Sequence, residues 1–147
     1  MASLSNEFEN QLLDYLFRGQ PFSPPTSIFV ALFKSEATDA EPGEEVSAPS
    51  YARAEVPCTL TDWSSTNASD NTDPSTGTEG VIYNITSAVF PDPLEDWGVV
   101  VHVGLFDQST GGNYLMHAPL VSPKDIVAGD ANIMFDAEYV SLEIDNG

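Results

Sequence analysis

The residues best suited to chemistry are two histidines, His102 and His117. They are the only two in the chain and lie fifteen positions apart in DWGVVVHVGLFDQSTGGNYLMHAPL, residues 96–120. If VVVHVGLF and NYLMHAPL pair as a hairpin closed by Asp107–Gly112, uninterrupted counting sets Phe106 against Asn113 and Leu105 against Tyr114. Val103 then meets Met116, and His102 meets His117. Opposed imidazoles could bind a metal or change charge on acidification. A metal normally needs a third ligand, and this register brings no Cys, Asp or Glu to the same face. The pair is therefore read as packing and hydrogen-bonding groups, with a pH-sensitive contact as the alternative. A bulge in the turn would undo the pairing.

The same parity sorts the hairpin into two faces. Val99, Val101, Val103 and Leu105 with Tyr114, Met116, Ala118 and Leu120 form the expected core face. The opposite face carries Val100, His102, Gly104 and Phe106 with Asn113, Leu115, His117 and Pro119. That second face is half apolar and needs a cover, either the N-terminal helix or another chain. His102, Phe106, Leu115 and His117 are its candidate interface residues.

Other reactive groups form no recognisable machinery. No G-x-S-x-G elbow exists for a serine nucleophile, and no G-x-x-x-x-G-K-[ST] loop for phosphates. The acids near DNTDPSTGTE lack the spacing that curls a calcium loop. Carboxylates are plentiful but lie in loops, away from any apolar run that could wall a sugar cleft. Cys58, the only cysteine, sits in EVPCTL, where a small buried hydrophobe is expected. The sequence predicts no catalytic residues, no metal ligands and no cofactor. Trp63 and Trp97 are the aromatics a carbohydrate- or protein-binding module would use, and each is read instead as a core or turn anchor.

Charge narrows the partners further. The 147 residues contain 23 acids and 4 basic residues, for a net charge of −19. Such a surface repels phosphate, which argues against nucleic acid and against anionic lipid. No apolar run is long enough to span a membrane, and the N-terminal residues do not form a secretory signal, so a protein made in a cytoplasm is expected. The two acceptor sequons at Asn67 and Asn84 carry little weight in that setting. The chain is long enough for one domain burying roughly 70% of its unfolded surface.

The elements that must position these residues follow from local signals. Residues 1–20 predict a helix, with Ser5 as cap, Glu7 and Glu9 in the first turn and Gly19 ending it after Arg18. Phe8, Leu12, Tyr15 and Leu16 make its apolar stripe, expected to bury against the domain or a neighbouring subunit. Residues 21–147 form the β domain. SIFVALF, apolar on both faces, predicts a central strand. YARAEVPCTL predicts a strand that Pro57 restricts to an edge or a bulge. VIYNITSAVF, the hairpin, ANIMFD and EYVSLEI complete an antiparallel all-β sandwich of about seven or eight short strands. Acidic loops near 35–50 and 61–80 are read as exposed and partner-facing or disordered.

The order of these segments resembles a family of small tailed-bacteriophage virion proteins of the tail-fibre or capsid-decoration type. The likeness spans about residues 4–144 and is carried by LSNEFENQLLDYLFRGQPFSPPTSIFVALFKSEATDA, SYAR, DWGVVVHVGLFD and VAGDANIMF. It implies a non-enzymatic β protein in the virion, present as a homo-oligomer in contact with phage capsid or tail proteins. A cellular carbohydrate- or protein-binding sandwich is the alternative.

Overall fold

A computed structural model describes residues 2–67, 71 and 73–144. The described residues form one helix and nine strands, all paired antiparallel. The protein is an all-β, sandwich-like fold with a single helix near its N-terminus.

The helix α1 (Asn6–Arg18) begins where Ser5 accepts a hydrogen bond from the Phe8 N–H and stops at Gly19, whose φ of 66° is left-handed. Acids Glu7 and Glu9 meet the positive helix start, and Arg18 bonds Asp14 one turn back at 2.9 Å. The residues before it, β1 (Ser3–Leu4), join the main sheet.

That sheet runs in the order β1, β7 (Tyr114–Ile126), β6 (Gly98–Phe106), β2 (Ser27–Phe33), β3 (Ala54–Pro57). SIFVALF is a central strand because apolar residues fill both its faces, and β3, with Pro57, is an edge. Two short ladders lie over one side: β4 (Val81–Tyr83) with β9 (Ser141–Glu143), and β5 (Ala88–Val89) with β8 (Met134–Phe135). Between these layers sits the main core. Val30, Leu32, Val56, Leu105 and Met116 from the sheet meet Ala88, Phe90, Phe135 and Leu142.

VIYNITSAVF, expected as one strand, is divided into β4 and β5 by a corner at Asn84. This side chain is fully buried. Its amide donates to the carbonyls of Thr86 and Asp136 at 3.0 Å, and its oxygen accepts from Val140 N–H at 2.8 Å. A buried amide with these three bonds holds the two ladders together.

The β6–β7 hairpin departs from uninterrupted counting in two places. Phe106 pairs with Tyr114 and Leu105 with Met116, so Leu115 is an extra residue in β7. A second break, between Val100 and His102, spans β7 residues 120–123. The turn explains the first. Asp107 accepts from both the Asn113 backbone (2.7 Å) and its side-chain amide (2.6 Å), while Gly111 and Gly112 take φ of 61° and 75°. This tight clasp brings Tyr114, one residue further along than expected, opposite Phe106.

The faces change accordingly. His102 stands opposite Pro119, and His117 opposite Gly104, so the histidines are diagonal neighbours rather than a facing pair. Tyr114, expected in the main core, lies on the other face with Phe33 and Phe106. Leu115, expected on that other face, is buried in the main core beside Met116. Val100 likewise moves into the core, and Val99 is half exposed.

Candidate functional site

The second face of the sheet holds most of the groups singled out by their chemistry. Phe33, Phe106 and Tyr114 pack edge-on and tilted, with ring centroids 5.6–6.5 Å apart. His117 stacks on Tyr114 at 6.0 Å, and His102 lies 5.9 Å from His117. Gly104 leaves room for this layer, since a Cβ there would fall 2.5 Å from the Phe33 ring.

The chain's own acidic loop, residues 34–46, covers this face. Ala37 is buried in the aromatic cluster, and a Cβ on Gly43 would lie 2.9 Å from Phe33 Cβ, so the loop backbone presses directly on that ring. Backbone bonds from Lys34 to Glu44 and from Val46 to Leu32 close it. Tyr114 donates its hydroxyl to the Thr38 carbonyl at 3.1 Å, and His117 Nε2 meets Asp39 Oδ1 at 2.9 Å. The Asp39 carbonyl also accepts from the Asn6 N–H at 2.8 Å, linking the loop to the helix start.

Arg53 is the second fastener. Its guanidinium lies 3.6 Å above the Phe106 ring centroid. Nε and Nη2 bond both oxygens of Glu45 at 2.8 Å, and Nη1 donates to the carbonyls of Gln108 and Gly111. One side chain thus joins the covering loop, β3's approach and the hairpin turn. Tyr51 adds to the same knot, donating to Glu45 at 3.0 Å and accepting from the Leu32 N–H.

These contacts set the proton chemistry. Burial and the neighbouring His117 push the His102 imidazole below its ordinary pKa, against the pull of Glu36. Burial and Asp39 hold the Tyr114 phenol above the usual range. Because a carboxylate only accepts, the His117 Nε2–H is the donor to Asp39. Tyr114 and His102 are therefore held as neutral packing and hydrogen-bonding groups. Among the described residues, no three His, Cys, Asp or Glu side chains are grouped to hold a metal ion.

The remaining candidates are dispersed. On the helix, Phe8 and Leu12 are half-buried and Phe8 reaches the main core, whereas Tyr15 is 50% and Leu16 65% exposed. Phe22 packs between Phe8 and Tyr15 at 6.2 and 5.8 Å. Trp97 is buried and donates to Ser50, and Trp63 is half-buried and donates to the Pro57 carbonyl, so both anchor the chain through their indole N–H. Cys58 is exposed rather than buried, because it follows the edge strand where the chain turns away.

Sequence reasoning missed Arg53, Ala37, Gly43 and Asn84. A signal existed for the first, a basic residue in an acidic chain.

Over residues 3–143 the chain matches the family described as podophage GP4 fiber I protein gp80. The chain belongs to this family. No curated protein matches it. Membership makes it a phage fibre-type structural protein of the virion, which meets other virion proteins. No helix among the described residues is long and apolar enough to cross a membrane.

Proposed function

We propose that this protein is a non-enzymatic fibre component, present in several copies per particle and held to tail proteins by protein–protein contacts. The family match across nearly the whole chain carries the reading. The structure supports it through what its reactive groups do. His117, Tyr114, Arg53 and Glu45 are committed to bonds that fasten a loop to a sheet. A rigid, strongly anionic body with exposed apolar residues on its helix suits repeated mounting on a particle.

Gold-labelled antibody against this protein, applied to intact particles, tests the proposal. Label at the tail or its fibres is expected. Label confined to the capsid, or particles lacking the protein altogether, would overturn it. Assembly should also weaken when the helix stripe Phe8, Leu12, Tyr15 and Leu16 is removed with residues 1–20, read as loss of particle occupancy.

A further inference from the structure

Two apolar surfaces have no partner among the described residues. The first is on α1, where Leu13, Leu16 and Phe17 are 54%, 65% and 79% exposed. They share one side of the helix with Glu9, by spacings of three and four. The second is an open flank of the sandwich, a groove of ≈ 410 Å³ between the second half of β7 and β8. Leu32, Leu120, Ile133 and Phe135 line it, with Val121 fully exposed and Tyr139 76% exposed at its rim.

The helix cannot fill its own groove. Its start is fixed to the first residues of β7 by the bond from Ser5 N–H to the Leu115 carbonyl. From Leu115 to Val121 the strand runs roughly 20 Å at about 3.3 Å per residue. The two surfaces therefore lie toward opposite ends of one strand.

Charge selects the occupant. Arg18, Lys34 and Arg53 are each paired with a carboxylate, and Lys124 alone among the basic residues has no ion-pair partner among the described residues. Lys124 lines the groove. A free ammonium beside an apolar flank favours a segment that is apolar with an acid on the same side, which is the composition of the Glu9–Phe17 face. Strand addition is the competing mode, and the edges oppose it: Pro57 stands in β3, Pro119 and Pro123 in β7, and β1 is two residues long.

We propose that α1 of one copy docks in the β7–β8 groove of the next, with Leu13, Leu16 and Phe17 seated on the flank and Glu9 facing Lys124. This rests on the fibre reading and deepens it. The contact is head-to-tail, so each copy offers one helix and one groove, and the assembly closes into a ring or extends along an axis. The net negative charge of each copy is screened beyond roughly 8 Å at physiological salt, while the docked surfaces lie within that distance.

Two exposed-surface double variants of the full chain test it by sedimentation velocity: Leu16→Ser with Phe17→Ser, and Val121→Asp with Lys124→Glu. The wild type should form oligomers at micromolar concentration. Each variant, folded by circular dichroism and with an unchanged melt, should associate roughly tenfold or more weakly. An equimolar mixture of the two variants should recover a dimer, since one still has its groove and the other its helix. A monomeric wild type, undiminished assembly of either variant, or a mixture that stays monomeric would each overturn the docking. Particle labelling reports separately on the fibre reading, because copies joined only through another virion protein would label the particle yet fail to associate alone.

Discussion

Replacing Arg53 with Met removes the cation that fastens the covering loop to the hairpin turn while keeping an apolar stem against Phe106. The Arg53 side chain is 6% exposed and that of Glu45 28%. The change removes four hydrogen bonds, two to Glu45 and one each to the carbonyls of Gln108 and Gly111. Breaking a buried ion pair from one side costs about 3–5 kcal/mol. Partial exposure of Glu45 lets water reach the stranded carboxylate, and Tyr51 still donates to it, so the cost should be about 2–4 kcal/mol. For a chain of this length each kcal/mol lowers the melting midpoint by about 3 °C, giving a fall of roughly 6–12 °C. Urea and thermal melts measure this directly. A double-mutant cycle with Glu45→Gln isolates the pair, and the double variant should recover at least about 1 kcal/mol relative to the sum of the singles. A loss below about 0.5 kcal/mol for Arg53→Met, or a fully additive cycle, would refute the view that this side chain holds the loop down.

Acidification should act through His102. Its folded pKa is lowered from 6.5, so the neutral form is favoured by folding; its contribution is complete above about pH 6.5 and is lost as pH falls through the lowered value. Wild-type stability, from urea unfolding, should therefore drop more steeply below that pH than that of His102→Gln; equal slopes would contradict the assignment. Gly104→Ala should destabilise by about 1–3 kcal/mol, because its Cβ would meet the fully buried Phe33 ring at 2.5 Å. An unchanged denaturation midpoint would mean that the aromatic layer has slack.

Features decided by local chemistry were legible in the sequence. Ser5 and Gly19 bracket the helix because a cap and a left-handed residue are one-residue properties. Pro57 marks the edge because it lacks a donor, and SIFVALF declares itself central by being apolar at every second residue on both sides. The hairpin faces were harder. Parity counting assumes unbroken pairing, and one inserted residue at Leu115 moves Tyr114 and Leu115 to the opposite faces from those expected. The cover was illegible for a different reason. Residues 34–46 have no periodicity, and their placement depends on contacts with Arg53, Tyr114 and His117, which only the folded chain brings together.

The residue inserted at Leu115 has a consequence for how the protein can change. Without it, Phe106 would still face Tyr114 and Leu105 would still face Met116, but the main core would lose a buried side chain. Leu115 also serves the helix: its carbonyl receives the Ser5 N–H, and its side chain lines one cleft with Gln11 and Asp14. The helix start is thus tied at once to the hairpin, through Tyr114 and Leu115, and to the covering loop, through Asp39. Change in the first turn of the helix is therefore felt by the body of the protein, whereas Leu13, Leu16 and Phe17 toward its far end are exposed and free to vary, so one scaffold can carry different attachments without being rebuilt.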